Sequence, residues 1–167
     1  MITQTTQSEI IDQLTQWLVD FVEKPNPLLN NWAPCPFARQ ARVDGAIEII
    51  FAEPRKLMES VEKNLSVLDH KEVLVVCFNH NEIHHELLSE FVKLYNKKLM
   101  KRDYVILEDH PYDPEVLNGV TMNFGRCGLL LVQKLSKLSS ASAQLKEKGY
   151  YDDWPTENMD AVVTWRK

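Results

Sequence analysis

The chain has 167 residues, of which 44% are hydrophobic, with formal charge −5 from 24 acids against 19 bases. That length and apolar content suit one domain, residues 1–167, with a substantial core. The bases form no stripe, which argues against nucleic acid as a partner. No apolar run reaches the ~18 residues that a membrane span requires. No basic-then-apolar leader opens the chain, and three cysteines without a C-x-x-C pair suit a reducing, cytoplasmic compartment.

The first expected element is a helix. Thr6 and Glu9 have capping-box spacing, and Ile10, Ile11, Leu14, Trp17, Leu18, Phe21 and Val22 recur at helical period. Lys24-Pro25-Asn26-Pro27 ends it, and a loop rich in Asn and Pro leads to Pro34-Cys35-Pro36-Phe37-Ala38. Proline at the first helical position is tolerated because its missing N–H would have no partner there. Cys35 then caps a short helix carrying Arg39 and Arg42, where the helix dipole would favour the thiolate. The plainer reading is a small buried residue in a stiff loop.

Strand–helix units follow. Ile47, Ile49 and Phe51 alternate in a strand over 46–51, and Glu53-Pro54 opens a helix with Leu57, Met58, Val61 and Leu65 inward. Val73–Phe78 is apolar throughout, as for a strand covered on both faces. Asn79 and Glu82 repeat the capping spacing before a helix whose inward stripe is read as Leu87, Leu88, Phe91, Val92, Tyr95 and Leu99. Tyr104–Leu107 is a third strand, halted by Asp109-His110-Pro111. Cys127 to about Leu145 reads as helix, with Leu131, Leu135, Leu138 and Leu145 inward. The tail 158–167 is open between edge strand and helical turn. The expected fold is α/β: a small three-layer domain with a three-stranded parallel sheet in order 1-2-3, and helices on both faces.

In such sheets ligands bind beyond the carboxyl ends of the strands. Those ends collect Glu53, Asn79, His80, Asp109 and His110, and an extended Lys24–Ala33 could span about 30 Å to bring Cys35 there too. The resulting expectation is an enzyme or small-molecule-binding protein with Cys35 as thiolate and His110 as base or orienting partner. Arg39, Asn79, His80, Glu53 and Arg126 would line the site. Whether the chain is an enzyme, and with what cofactor or oligomeric state, stays open.

Two alternatives compete with it. His80 and His84 are four apart and could hold a metal with Asp109 or His110, although H-E-x-x-H is missing and His84 shares an apolar stripe. The Tyr150-Tyr151-Asp152-Asp153-Trp154-Pro155 segment could contact a partner in a non-catalytic interaction module, or fold back as a lid. Weaker signals are Gly125-x-x-Gly128, half of a phosphate loop, and a Cys35–Cys127 redox pair. Cys77 belongs to the core.

Trp17-Leu18, Cys35-Pro36-Phe37-Ala38, His110-Pro111 and Leu129-Leu130-Leu131-Val132, in that order, resemble an uncharacterised family of small bacterial proteins. The resemblance spans most of residues 10–135. It implies the α/β fold and gives weight to Cys35 and His110 without naming a substrate. The chain departs from that family at Asn123–Gly128, where the family has a proline-rich Asn-Arg-Ser type loop, and after the second strand, where Asn79-His80 stands for His-Pro.

Overall fold

The computed structural model describes residues 2–167. Helix α1 runs Gln4–Trp17. Its cap is Thr3, one turn before Thr6: Thr3 Oγ1 accepts the Thr6 N–H at 3.3 Å. A π turn over Leu18–Val22 completes the element before the proline-rich loop. Short helix α2, Ala38–Val43, leads into strand β1, Ile47–Phe51. Helix α3, Leu57–Asn64, precedes β2, Val73–Phe78, and α4, His85–Leu99, precedes β3, Tyr104–Asp109. These elements match the expected order.

The second half departs from expectation. Asn118-Gly119, both at positive φ, forms the turn of a two-residue hairpin between β4, Val116–Leu117, and β5, Val120–Thr121. Asn-Gly is the commonest such turn because both residues tolerate the left-handed region. The stretch read as helix from Cys127 is instead strand β6, Gly128–Lys134, followed by α5, Leu135–Glu147.

The sheet is therefore four-stranded and mixed, in order β1-β2-β6-β3, and not three parallel strands in order 1-2-3. β1 and β2 are parallel, whereas β6 enters antiparallel to both β2 and β3. Two features hid β6. A strand buried on both faces is apolar at successive positions and carries no period, and Leu129 and Leu130 are both buried. The start signal of α5 is also not local. Asp103 Oδ1 and Oδ2 accept the Ser136 N–H and Oγ–H at 2.8 and 2.7 Å, so a residue 33 positions earlier caps the helix.

Helices α3 and α4 share one face of the sheet, packing Leu57, Val61, Leu88, Val92 and Leu99 on Leu74, Val76, Phe78, Ile106, Leu130 and Val132. α1 covers the other face, with Ile10 and Leu14 against Val75, Cys77 and Leu129. The inward side of α4 is Leu88, Val92, Asn96 and Leu99; Leu87 and Phe91, expected inward, are exposed. The tail is helical, with α6 over Thr156–Val162 and a 3-10 turn over Thr164–Arg166. No helix among the described residues is long and apolar enough to cross a membrane.

Two contacts hold β6 and β3 in place. Gly128 lies in register with Phe78, and a Cβ there would sit 2.1 Å from the Phe78 ring. At β3, buried Asn96 of α4 donates to Ile106 O at 2.9 Å and accepts the Ile106 N–H at 2.8 Å. The amide stands in for a neighbouring strand, closing that stretch of edge that would otherwise leave two buried backbone groups unpaired. Because Phe78 is fully buried and has nowhere to retreat, Gly128→Ala is expected to cost about 2–3 kcal/mol through overpacking. A urea-denaturation midpoint within error of the parent would refute that account of the glycine.

Candidate functional site

The Cys35 loop is built by local capping. Asn26 Oδ1 accepts the Leu28 N–H at 2.9 Å, and Asn30 and Asn31 turn the chain at positive φ. Trp32 packs edge-on against Tyr150, whose buried hydroxyl donates to Pro34 O at 2.6 Å. The Cys35 N–H donates to Val22 O at 3.0 Å, and Cys35 O accepts the Ala38 N–H at 3.1 Å. Cys35 therefore closes a turn ahead of α2 and is not its N-cap, which is Phe37.

The thiol also departs from expectation. The residue as a whole is exposed, yet burial is the largest influence on its sulfur and pushes the thiol up, with the Phe37 and Ala38 N–H groups pulling weakly the other way. The Tyr150 phenol lies close by, held protonated first by burial and then by the proximity of Cys35. The Phe37 and Ala38 N–H groups favour the thiolate, but burial outweighs them.

Beside Cys35, Phe37 lines an open recess of about 330 Å³ together with Glu72, Ser136, Lys137, Ser140, Ala141 and Gln144. Glu72 immediately precedes β2, and Ser136 lies just past the end of antiparallel β6. This is the edge where the parallel strands begin. Arg42 grips Glu23 through Nε at 3.0 Å and Nη2 at 2.7 Å, and that pairing holds the Glu23 carboxyl below its usual range. Arg39, nearby and exposed, contributes a weaker pull on Glu23.

His110 lies at the other edge, directly after β3. It is 3% exposed. Its Nε2 lies 3.2 Å from His80 O and 3.0 Å from Ile83 O, while Nδ1 accepts the Tyr112 N–H at 3.1 Å. Carbonyls only accept, so these partners assign the proton to Nε2. Both ring nitrogens are engaged, and the imidazole ties the 80–83 turn to the 110–113 turn. β2, six residues long, separates the two edges by roughly 20 Å. The structure does not bring Cys35 and His110 into one cavity.

The other expected site residues are dispersed. Glu53 is paired with Arg55 at 3.0 Å, which lowers its carboxyl. Asn79 caps the 80–82 turn, accepting the Asn81 N–H at 3.1 Å and donating to Glu82 at 2.8 Å. His80 packs edge-on to His110 and to Tyr112, and burial, with His110 second, lowers its imidazole. His84 is exposed and stacks on His85. Arg126 is exposed in the loop before β6. Among the described residues no three His, Cys, Asp or Glu side chains are grouped so as to hold a metal ion, so His80, His84, Asp109 and His110 form no such set. Cys127 meets Cys77 and not Cys35: a hydrogen bond between them, followed by burial, keeps the Cys77 thiol well up.

Asp109 carries a feature that no sequence signal marks. It stands in register with Leu129, which in turn pairs with Cys77, so the three share the face under α1. Its Oδ2 accepts the Phe124 N–H at 2.9 Å, but buried Oδ1 has no partner. Burial pushes the carboxyl up to about 6 against the Phe124 bond. No protein-family model, curated protein or solved structure matches this chain.

A raised folded pKa favours the protonated state, so Asp109 adds stability that is full below its unfolded value near 4 and is lost as pH rises through about 6. The swing is on the order of 2–3 kcal/mol. Asp109→Asn is expected to be more stable than the parent at pH 7 and to flatten the stability profile between pH 4 and 6.5. Parallel pH profiles for the two proteins in urea titrations would show that Asp109 carries no such linkage.

Proposed function

We propose that this protein works by binding another polypeptide, through the outward face of α4, with no catalytic step of its own. The observation that carries this reading is a row of large apolar side chains on that face: Leu87, Phe91 and Leu94 are 48%, 46% and 58% exposed at spacings of four and three. Single exposed hydrophobics are ordinary on a protein surface, but three in a helical row form a continuous strip of the kind that docks on a partner. The alternative interaction surface, the aromatic and acidic segment 150–155, is folded back. Tyr150 is buried, and Trp154 packs against Leu29, Leu117 and Val120.

A photo-reactive residue in place of Leu94 is expected to give a discrete cross-linked species in cells, whereas the same residue at exposed Asp12 on α1 gives none. No product from Leu94, or equal smears from both positions, would remove the reading.

A second reading keeps a small-molecule ligand, and the observation favouring it is the recess beside Phe37. Its volume, about 330 Å³, lies at the lower end of the range ligand sites occupy. Phe37→Asp should then abolish any thermal stabilisation found in a metabolite screen; stabilisation unchanged by Phe37→Asp would place the ligand elsewhere.

A further inference from the structure

We infer that the partner of the α4 face is a second copy of this chain, joined through an antiparallel pair of α4 helices about a two-fold axis. The inference rests on the interaction reading above and adds the identity of the partner.

The spacing supports it first. Leu87, Phe91, Leu94 and Lys98 follow one another at intervals of four, three and four, which is the a/d seam of a helix pair. This seam is separate from the Leu88, Val92, Asn96 and Leu99 side that packs on the sheet, so one helix serves both contacts. Lys98 ends the seam with an aliphatic stem that can lie over an apolar neighbour and keep its ammonium in water.

The charges flanking the seam choose the partner. Glu90 and Lys97 directly precede Phe91 and Lys98, equivalent seam positions one heptad apart, so both stand on the same flank; Glu86 and Lys93, before Leu87 and Leu94, lie further round that side. All four are exposed. The flank is thus acidic toward the start of α4 and basic toward its end. Such a flank complements a copy of itself when the copy is inverted. In an antiparallel pair, equivalent flanks face each other: Phe91 meets Leu94, Glu90 meets Lys97, and the two-fold axis repeats both contacts. A parallel pair would set this flank against the partner's other flank, where Leu88 and Tyr95 pack toward the sheet, and would leave Glu90 and Lys97 without an opposite charge.

The seam from Leu87 to Lys98 covers twelve residues, or about 18 Å. That is small for a stable interface, so the dimer is expected to dissociate in the micromolar range.

Sedimentation equilibrium of the full chain from micromolar to near-millimolar concentration tests this. The expected result is a concentration-dependent shift from 19.4 kDa to twice that mass. Leu94→Glu should raise the dissociation constant at least ~30-fold. Glu90→Lys alone and Lys97→Glu alone should each weaken the dimer, whereas both in one chain should restore it, because inversion again faces opposite charges. Circular dichroism confirms that each variant is folded, and the charge variants leave the apolar seam untouched.

A parent chain that stays at 19.4 kDa throughout overturns the inference. So does a dimer that survives Leu94→Glu, or a double charge exchange that fails to recover association. If the parent is monomeric but the Leu94 cross-link still forms with another protein, the interaction reading stands and only the identity of the partner fails. If neither association nor cross-link is seen, both fall.

Discussion

The backbone of β2 must be hydrogen-bonded on both sides, and only one side is served by β1. Its side chains are buried on both faces, with Leu74, Val76, Cys77 and Phe78 fully inaccessible, so water cannot supply the missing partners. β6 does, and its antiparallel entry between β2 and β3 sets the rest of the architecture. The chain must leave β3, make the excursion over residues 110–127, and return at the same edge. That return places Gly128 beneath the Phe78 ring, Cys127 against Cys77, and Phe124 over Asp109. β3 becomes an outer strand, and Asn96 supplies two of the hydrogen bonds that a fifth strand would have made.

The same demands absorb the groups that look reactive. His110 sits where the excursion begins, and its two nitrogens bind together turns that contain no regular ladder. Cys35 sits beside Tyr150 in a loop pinned at Asn26, Pro34 and Val22. Asp109 accepts the Phe124 N–H, which anchors the returning chain, while burial of its other oxygen makes the charged form costly. Each polar side chain has a structural task, and those tasks lie at different edges and on different faces.

What remains uncommitted is α4. Its sheet-facing side is complete without Leu87, Phe91 and Leu94, so the outer strip is not required by the core beneath it. Reading α4 as a single broad inward stripe merges two apolar faces that lie roughly a quarter to a third of a turn apart. The polarity of the adjoining charges runs along the helix, and that makes the strip directional rather than merely sticky.

The local elements were legible because their signals are local. The six residues Val73–Phe78 announce a doubly covered strand, Pro25 and Pro27 stop the first helix, and Pro54 opens the next one, although Thr3 rather than Thr6 caps α1. Asn118-Gly119 also carries a local hairpin signal. By itself, then, the sequence determined the α/β alternation and the run of elements from α1 through β3. Tertiary structure decided that residues 128–134 are a strand, that the sheet is mixed, that Asp103 starts α5, and that Cys35 and His110 are held by different partners. Those outcomes depend on hydrogen-bond partners and burial supplied by residues tens of positions away, and no short-range pattern encodes them.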